Sequence, residues 1–283
     1  MTVRVVTDSS AHLPAKTLAA SGLSVVPLTV ALAGEEHREG VDITAADVAH
    51  ALGERRSQVT TSRPAPAEFS RTYEELLTGG ATGVVSVHLS ARLSGTYESA
   101  LLAAEEFGGR VRVVDSLSAG TGVGFVALAA VAAAQSGADV EAVRAAALAA
   151  TTRITTFFYV DTLEHLRRGG RMSLTQALVG TAFAVKPILH TVRGEVVLKE
   201  KVRTSSRALA RLADLTVEAA DGAEAVDVAV QHLASPERAA GLLDEITSRL
   251  GATVHEASLT EVSAAIAAHT GPDILAVALY RRP

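Results

Sequence analysis

Short runs rich in β-branched residues alternate with longer Ala- and Leu-rich segments along the first half of this chain. VRVVT, LSVVPLTV, GVVSVHL and RVRVVD are each followed by a turn residue or a helical pattern. The runs are apolar on both faces rather than alternating, so they read as buried strands of a mainly parallel sheet, covered by helices such as PAEFSRTYEELL. Open sheets of this kind bind ligands at the carboxyl ends of their strands. The polar residues expected there are TDSS after the first run, HLS after the third and DSLSAGTG after the fourth.

The pattern changes after about residue 150. TFFYVDTLEHLRRGGRMS leads into KPILHTV and EVVLKEKV, and the RGE between them predicts a hairpin. VDVAVQHL and ATVHEASL follow, each with its own helical segment, and the chain closes on DILAVALYRR. At 283 residues the chain exceeds one core of ordinary size, so two α/β domains are expected. Residues 1–155 would hold a mainly parallel sheet with helices on both faces, and residues 156–283 a mixed sheet with helices.

Composition narrows the classes of function. Apolar residues make up 48% of the chain but aromatics only 4%, with no Trp, which predicts a core of closely packed Ala, Val and Leu. The net charge of -5, without long single-sign runs, gives no footprint for a nucleic-acid backbone. The absence of Cys excludes disulfides, thiolate chemistry and cysteine metal sites. The start MTVRVVTDSS lacks the apolar core of a secretory signal, so the expected compartment is the cytoplasm. GVGFVALAAVAAAQ is shorter than the roughly 20 residues a membrane crossing needs, and no membrane span is expected.

Several segments carry possible chemistry. HLSARLSGTYESA groups Ser90, Ser94, Thr96 and Ser99 around Gly95, between a strand pattern and a helix pattern. A helix start presents unpaired N–H groups and a positive dipole end, suited to an anion. TDSSAHLP is a helix cap or a polar loop, with Pro14 at a helix start; in TSRPAPAEF, Thr61 or Ser62 caps a turn or points at a ligand. The three arginines of RRGGRMS, Arg167, Arg168 and Arg171, hold a carboxylate or phosphate, or form a solvated helix end closed by glycine. Asp115 to Ser118 reads as a helix cap, with Gly120, Gly122 and Gly124 letting the following helix approach the sheet.

An enzyme is the competing reading: small-substrate phosphotransfer or hydrolysis using Ser94 or Asp8. Against it, Ser94 is flanked two residues away by Arg92 and Thr96 rather than the glycines of a nucleophile elbow, and no matched acid–His pair is visible. DSLSAGTGVGF lacks the Lys of a phosphate loop and the spacing of a dinucleotide fingerprint. Nine scattered His without HxH or HExxH spacing predict no metal, and no cofactor is expected. A purely regulatory protein without ligand would leave the hydroxyl-rich strand ends unexplained.

TDSSAHLP, TSRPAPAEF, LSARLSGTYESA, VDSLSAGTGVGF and LEHLRRGGRMS occur in order and are followed by KPIL, KVR and HTGP. Together they resemble the DegV family of fatty-acid-binding proteins, from residue 5 to near the C-terminus. The resemblance implies one long-chain fatty acid in a tunnel between two domains, presented to the ATP-binding subunit of a separate fatty-acid kinase that makes acyl phosphate. It assigns ligand binding to Thr61 and Ser62 of TSRP, Ser94 and Gly95 of LSGTY, Arg171 of GGRMS, and His269 and Thr270 of HTGP. Arg203 of KVR is implied to meet the kinase. Two positions depart from the family pattern: Arg63 stands where Gln is usual, and Asp273 where Gly is usual. A carboxylate at Asp273 is expected to repel a nearby carboxylate or stiffen that turn.

Overall fold

The computed structural model describes residues 2–54, 58–172 and 185–283. The first half contains, in chain order, β1 (Val3–Asp8), α1 (Ala15–Ser21), β2 (Ser24–Val26), β3 (Thr29–Leu32), β4 (Glu35–Arg38), α2 (Ala45–Gly53), β5 (Val59–Ser62) and α3 (Pro66–Thr78). It continues with β6 (Gly83–His88), α4 (Thr96–Ala104), β7 (Val111–Asp115), α5 (Thr121–Gln135) and α6 (Val140–Thr151). Strands β2, β1, β6 and β7 form a four-stranded sheet in that order, and every pairing is parallel. Alternation along each strand splits its valines between two cores. Val3, Val5, Val85 and Val87 pack on α5 and α6, whereas Val6, Val26 and Val84 meet Phe69 and Tyr73 of α3 and Ala100 and Ala103 of α4. Helices on both faces explain why the strand runs are apolar throughout.

LSVVPLTV is not one strand. β2 stops at Val26 and β3 begins at Thr29 in a separate antiparallel sheet of order β4-β3-β5. Pro27 cannot donate to a ladder, and Leu28 N–H turns instead to Ser9 Oγ at 2.9 Å. The small sheet escapes sequence reading because EEHR is polar and VTTS is short. Its importance is positional, since β5 carries Thr61.

The second half holds β8 (Ile154–Tyr159), α7 (Glu164–Arg168), β9 (Lys186–Val192), β10 (Glu195–Val202), α8 (Ser205–Ala219), β11 (Val226–His232), α9 (Pro236–Leu250), β12 (Val254–Glu261), α10 (Ala264–Thr270) and β13 (Leu275–Arg281). A mixed six-stranded sheet runs β10-β9-β8-β13-β11-β12, with β11 and β12 parallel and the other pairs antiparallel. The expected hairpin is β9–β10, turning at Arg193 and Gly194, both at positive φ (50° and 82°). One face of this sheet packs on α8 and α9 through residues such as Leu212, Leu215 and Ile246. The other face joins Phe158 and Leu189 to Leu28, Val30 and Val48 of the first half in a shared core.

Helix α5 lies between the two large sheets. One side packs on the parallel sheet, while Phe125 meets Ala229 and Ala278 of the mixed sheet. The glycines at its start allow that approach: a Cβ on Gly120, at φ 61°, would collide with Gln231 Oε1, and one on Gly124 would come within 2.6 Å of Leu13 Cδ2. The cap differs from the sequence reading. Asp115 does not cap α5; its carboxylate accepts Leu117 N–H at 2.8 Å and Ala91 N–H at 3.3 Å, tying two loops together. The free Thr121 N–H is instead taken by Gln231 Oε1, from the other sheet, at 2.9 Å. Among the described residues no helix is long and apolar enough to cross a membrane.

Candidate functional site

A cavity of about 120 Å³ lies where the small sheet, α10, the loops after β1, β6 and β7, and the inner face of the mixed sheet converge. Thr61 reaches it because β5 pairs with β3 in the register Val30↔Thr61. Pro64 and Pro66 follow closely and prevent the strand from continuing, so Thr61 and Ser62 sit at its open end. Helix α10 is a short Ala-rich segment whose Ser263 cap accepts Ile266 N–H at 3.2 Å. Buried Glu39 accepts Ala265 N–H at 2.8 Å and is also hydrogen-bonded by Ser9, so the helix is pinned to the first half. Burial pushes the Glu39 carboxyl above its ordinary range.

That pinned helix brings His269 to Thr61: His269 Nε2 and Thr61 Oγ1 share a hydrogen bond of 2.7 Å across 208 positions of sequence. Burial, reinforced by the Arg171 guanidinium, pushes the His269 imidazole down to about 4, so it is neutral at pH 7. Arg171 is fixed by donating from Nε to Leu93 O at 3.1 Å and from NH1 to Gly169 O. It therefore ties the turn after α7 to the loop that carries Ser94. Ser94 Oγ exchanges a hydrogen bond with Thr96 Oγ1 at 2.9 Å and accepts Thr96 N–H at 3.3 Å.

Thr61, Ser62, Ser94, Arg171, His269 and Thr270 all line the cavity. The sequence assignments therefore converge in space, with three qualifications. Thr270 Oγ1 donates to Ile266 O at 3.0 Å, so its hydroxyl serves its own helix. Gly95 is not among the lining residues; it is the N-terminal flank of α4, and a Cβ there would come within 2.8 Å of Arg63 Cδ. Arg63 thus lies across Gly95, where the more compact Gln of the family pattern would stand. Arg203 is also outside the cavity, exposed at the end of β10 beside the Thr204 cap of α8.

Asp273 resolves differently from the expected repulsion. Its carboxylate accepts from Ser235 Oγ at 2.8 Å and faces Arg238 at 3.6 Å, and it does not line the cavity. Its φ of 62° is left-handed, which accounts for the glycine expected there. Ser10, from the TDSS expected at the end of the first strand, also lines the cavity, and so does Gln231, which the sequence reading did not single out. Gln231 had a weak signal, being a polar residue late in the strand pattern VDVAVQHL, beside His232.

An acid–His pair does exist, contrary to the sequence reading. Asp8 Oδ2 and His88 Nδ1 lie 3.0 Å apart, and His88 Nε2 is 2.6 Å from Ser86 Oγ, which also accepts from Tyr73 OH at 2.8 Å. This order resembles a nucleophile relay, but Asp8, Ser86 and His88 are each 0% exposed, and none of them lines the cavity. No substrate reaches Ser86. Asp8 is further committed to Ser10 and Leu89, whose backbone N–H groups it accepts at 3.1 and 3.0 Å. At the cavity itself, no carboxylate is hydrogen-bonded to His269 among the described residues, so the Thr61–His269 pair lacks the acid that orients a catalytic imidazole.

Among the described residues Asp227, His255 and Glu256 bring three ligand atoms within 4.8 Å of one another. Arg282 Nε already donates to both Asp227 oxygens at 2.9 Å, so that carboxylate has its cation. The cavity wall beyond the hydroxyls is apolar, formed by side chains such as Leu28, Leu93, Phe158, Ile266 and Val277. Neutral hydroxyls, a neutral imidazole and one arginine in a predominantly apolar space suit an anionic head and an alkyl tail.

The DegV family model, described as an uncharacterised protein of that family, matches residues 2–282. A DegV domain-containing protein of Streptomyces coelicolor is 46% identical over 280 residues, covering 99% of each chain. A solved DegV family protein from Thermus thermophilus, described as fatty-acid binding, superposes with a TM-score of 0.94 at 36% identity over 100% of both chains. DegV from Bacillus subtilis, described as a fatty acid binding protein, gives 0.89 at 31% identity, again over 100% of both. With the family model spanning nearly every residue and the fold reproduced over its whole length, this chain belongs to the DegV family.

Proposed function

We propose that this protein binds one long-chain fatty acid, with its carboxylate at Thr61, Ser94, Arg171 and His269 and its alkyl chain along the apolar wall. The observation that carries this reading is the meeting of those polar groups in one predominantly apolar cavity. Full-length relatives described as fatty-acid binding support it. The chain acts as two domains, expected to divide at 155/156 and here placed just before β8 so that the strand stays whole, and the acid lies between them. Each buried methylene contributes about 0.8 kcal/mol, so about a dozen contribute on the order of 10 kcal/mol before ordering costs, against about 1 for a net hydrogen bond. The tail supplies affinity and the head supplies orientation.

The protein acts as a carrier in the cytoplasm, and phosphorylation belongs to a separate kinase subunit that binds ATP. A carboxylate oxygen attacks the γ-phosphorus, the bond to the bridging oxygen breaks, and ADP leaves with the electron pair, giving acyl phosphate. Ser62, beside Thr61, borders the head group, Gly95 shapes the turn that carries Ser94 from outside the cavity, and Arg203 meets the kinase.

Lipid extraction of purified protein is expected to yield about one acyl chain per chain, and Thr61→Ala and Ser94→Ala are each expected to weaken fatty-acid binding by about 1 to 3 kcal/mol while the fold survives. Undiminished affinity in both variants would move the head group elsewhere. Arg203→Ala is expected to bind fatty acid like the parent while its acid is phosphorylated several-fold more slowly by the cognate kinase and ATP. Equal phosphorylation rates would remove Arg203 from the partner surface, and acyl phosphate formed without kinase would overturn the carrier role.

A further inference from the structure

Glu39 is a buried carboxylate, 4% exposed, directly after β4. It accepts hydrogen bonds from Ser9 Oγ in the loop after β1, and from the Ser263 hydroxyl and Ala265 N–H at the start of α10. Ser9 Oγ in turn accepts Leu28 N–H at 2.9 Å, and Glu39 N–H donates to Leu28 O at 2.9 Å. Each of these segments supplies cavity wall: Ser10 after β1, Leu28 between β2 and β3, and Ala265, Ile266 and His269 on α10. Glu39 itself does not line the cavity, yet its side chain ties three parts of the lining together.

Helix α10 depends on such a grip. It has seven residues, fewer than a helix needs to persist by itself, and the side chains it buries in the shared core are Ala264, Ala265, Ala267 and Ala268. Alanine methyls bury little area and interlock weakly with their neighbours, so packing alone defines the helix position loosely. His269 stands one helical turn beyond Ala265, on the same face.

We propose that Glu39 is a positioning residue of the head-group site: by holding the first turn of α10 it sets where His269 meets Thr61. The inference rests on the fatty-acid reading above for its ligand. Asp8 is the charged group that bears on Glu39 and Arg171 the one that bears on His269, while His165 of α7 lies against Gly271 just beyond it. When the first turn slips, water reaches the His269 imidazole and removes the burial that keeps it neutral.

The test follows His269 by NMR titration of its imidazole, and hexadecanoic acid by calorimetric titration, in the parent, Glu39→Ala, Glu39→Gln and Ser9→Ala. Glutamine keeps an acceptor for Ala265 N–H and turns its amide toward Ser9 Oγ. Glu39→Ala is expected to move the His269 pKa from about 4 toward its ordinary 6.5 by about one pH unit or more. The same variant should weaken hexadecanoate about fivefold, the worth of one net hydrogen bond. Glu39→Gln should return both properties to the parent values. Ser9→Ala, which removes a single donor, should move His269 the same way by less, and it decides the matter should Glu39→Ala not fold. A Glu39 that only stabilises the fold would lower the melting temperature and leave His269 unmoved. An unshifted His269 in folded Glu39→Ala or in Ser9→Ala overturns the proposal. So does parent-like affinity beside a shifted His269, or a Glu39→Gln variant that shifts as far as alanine. A parent that leaves hexadecanoate unbound overturns the fatty-acid reading, and the His269 titration then still decides whether Glu39 sets the site.

Discussion

Asp8→Ala is expected to lower the unfolding free energy by about 3 to 5 kcal/mol, the range seen when one partner of a buried charged network is removed. Asp8 is 0% exposed and takes hydrogen bonds from Ser10 N–H, Ser10 Oγ, Leu89 N–H and His88 Nδ1. Alanine would leave those donors buried without an acceptor, at the point where β1 and β6 deliver their loops to the cavity. Chemical denaturation of parent and variant measures the difference, and a change below about 1 kcal/mol would show that the network relaxes or hydrates without cost. Ser86→Ala is the companion measurement. It should leave fatty-acid binding intact, because Ser86 belongs to the core and not to the cavity.

Acidification is expected to destabilise the parent more than His269→Gln, by about 3 kcal/mol between pH 7 and pH 4. The folded imidazole sits at about 4 and the unfolded one near its ordinary value of 6.5. In that interval the unfolded chain binds more protons, so stability rises with pH and is lost as pH falls from 6.5 toward 4. Each pH unit in the interval is worth about 1.4 kcal/mol. Glu39 acts in the opposite sense, because burial raises its folded value and its unfolded form ionises first as pH rises. The difference between parent and variant isolates His269 from that contribution. Parallel stability profiles for the two proteins would show that His269 is hydrated or already protonated in the fold.

The strand runs, the hairpin and the order of the later strand–helix units were legible in the sequence because each is a local pattern. Apolarity on both faces of VRVVT and GVVSVHL reports a covered parallel sheet, and RGE between two strand patterns reports a tight turn. The small sheet was not legible, since Pro27 divides a run that looks continuous and EEHR carries no apolar period. Motif resemblance named most of the cavity's polar residues, yet it could not say which hydroxyls are free. Thr270 binds its own helix, whereas Thr61 faces His269.

What the sequence determined by itself is the class of each segment and the chemical inventory: buried parallel strands, an aliphatic core, no thiols, and hydroxyls at strand ends. What only the tertiary structure decided is which of these meet. Thr61 reaches His269 across 208 positions, Gln231 caps α5 across 110, and Glu39 holds α10 across 226. Local periodicity is set by backbone geometry within a few residues and leaves its trace in composition. A contact between distant segments is set by how whole layers pack, and the lone Gln, Glu or His that makes it carries no local period to reveal its partner.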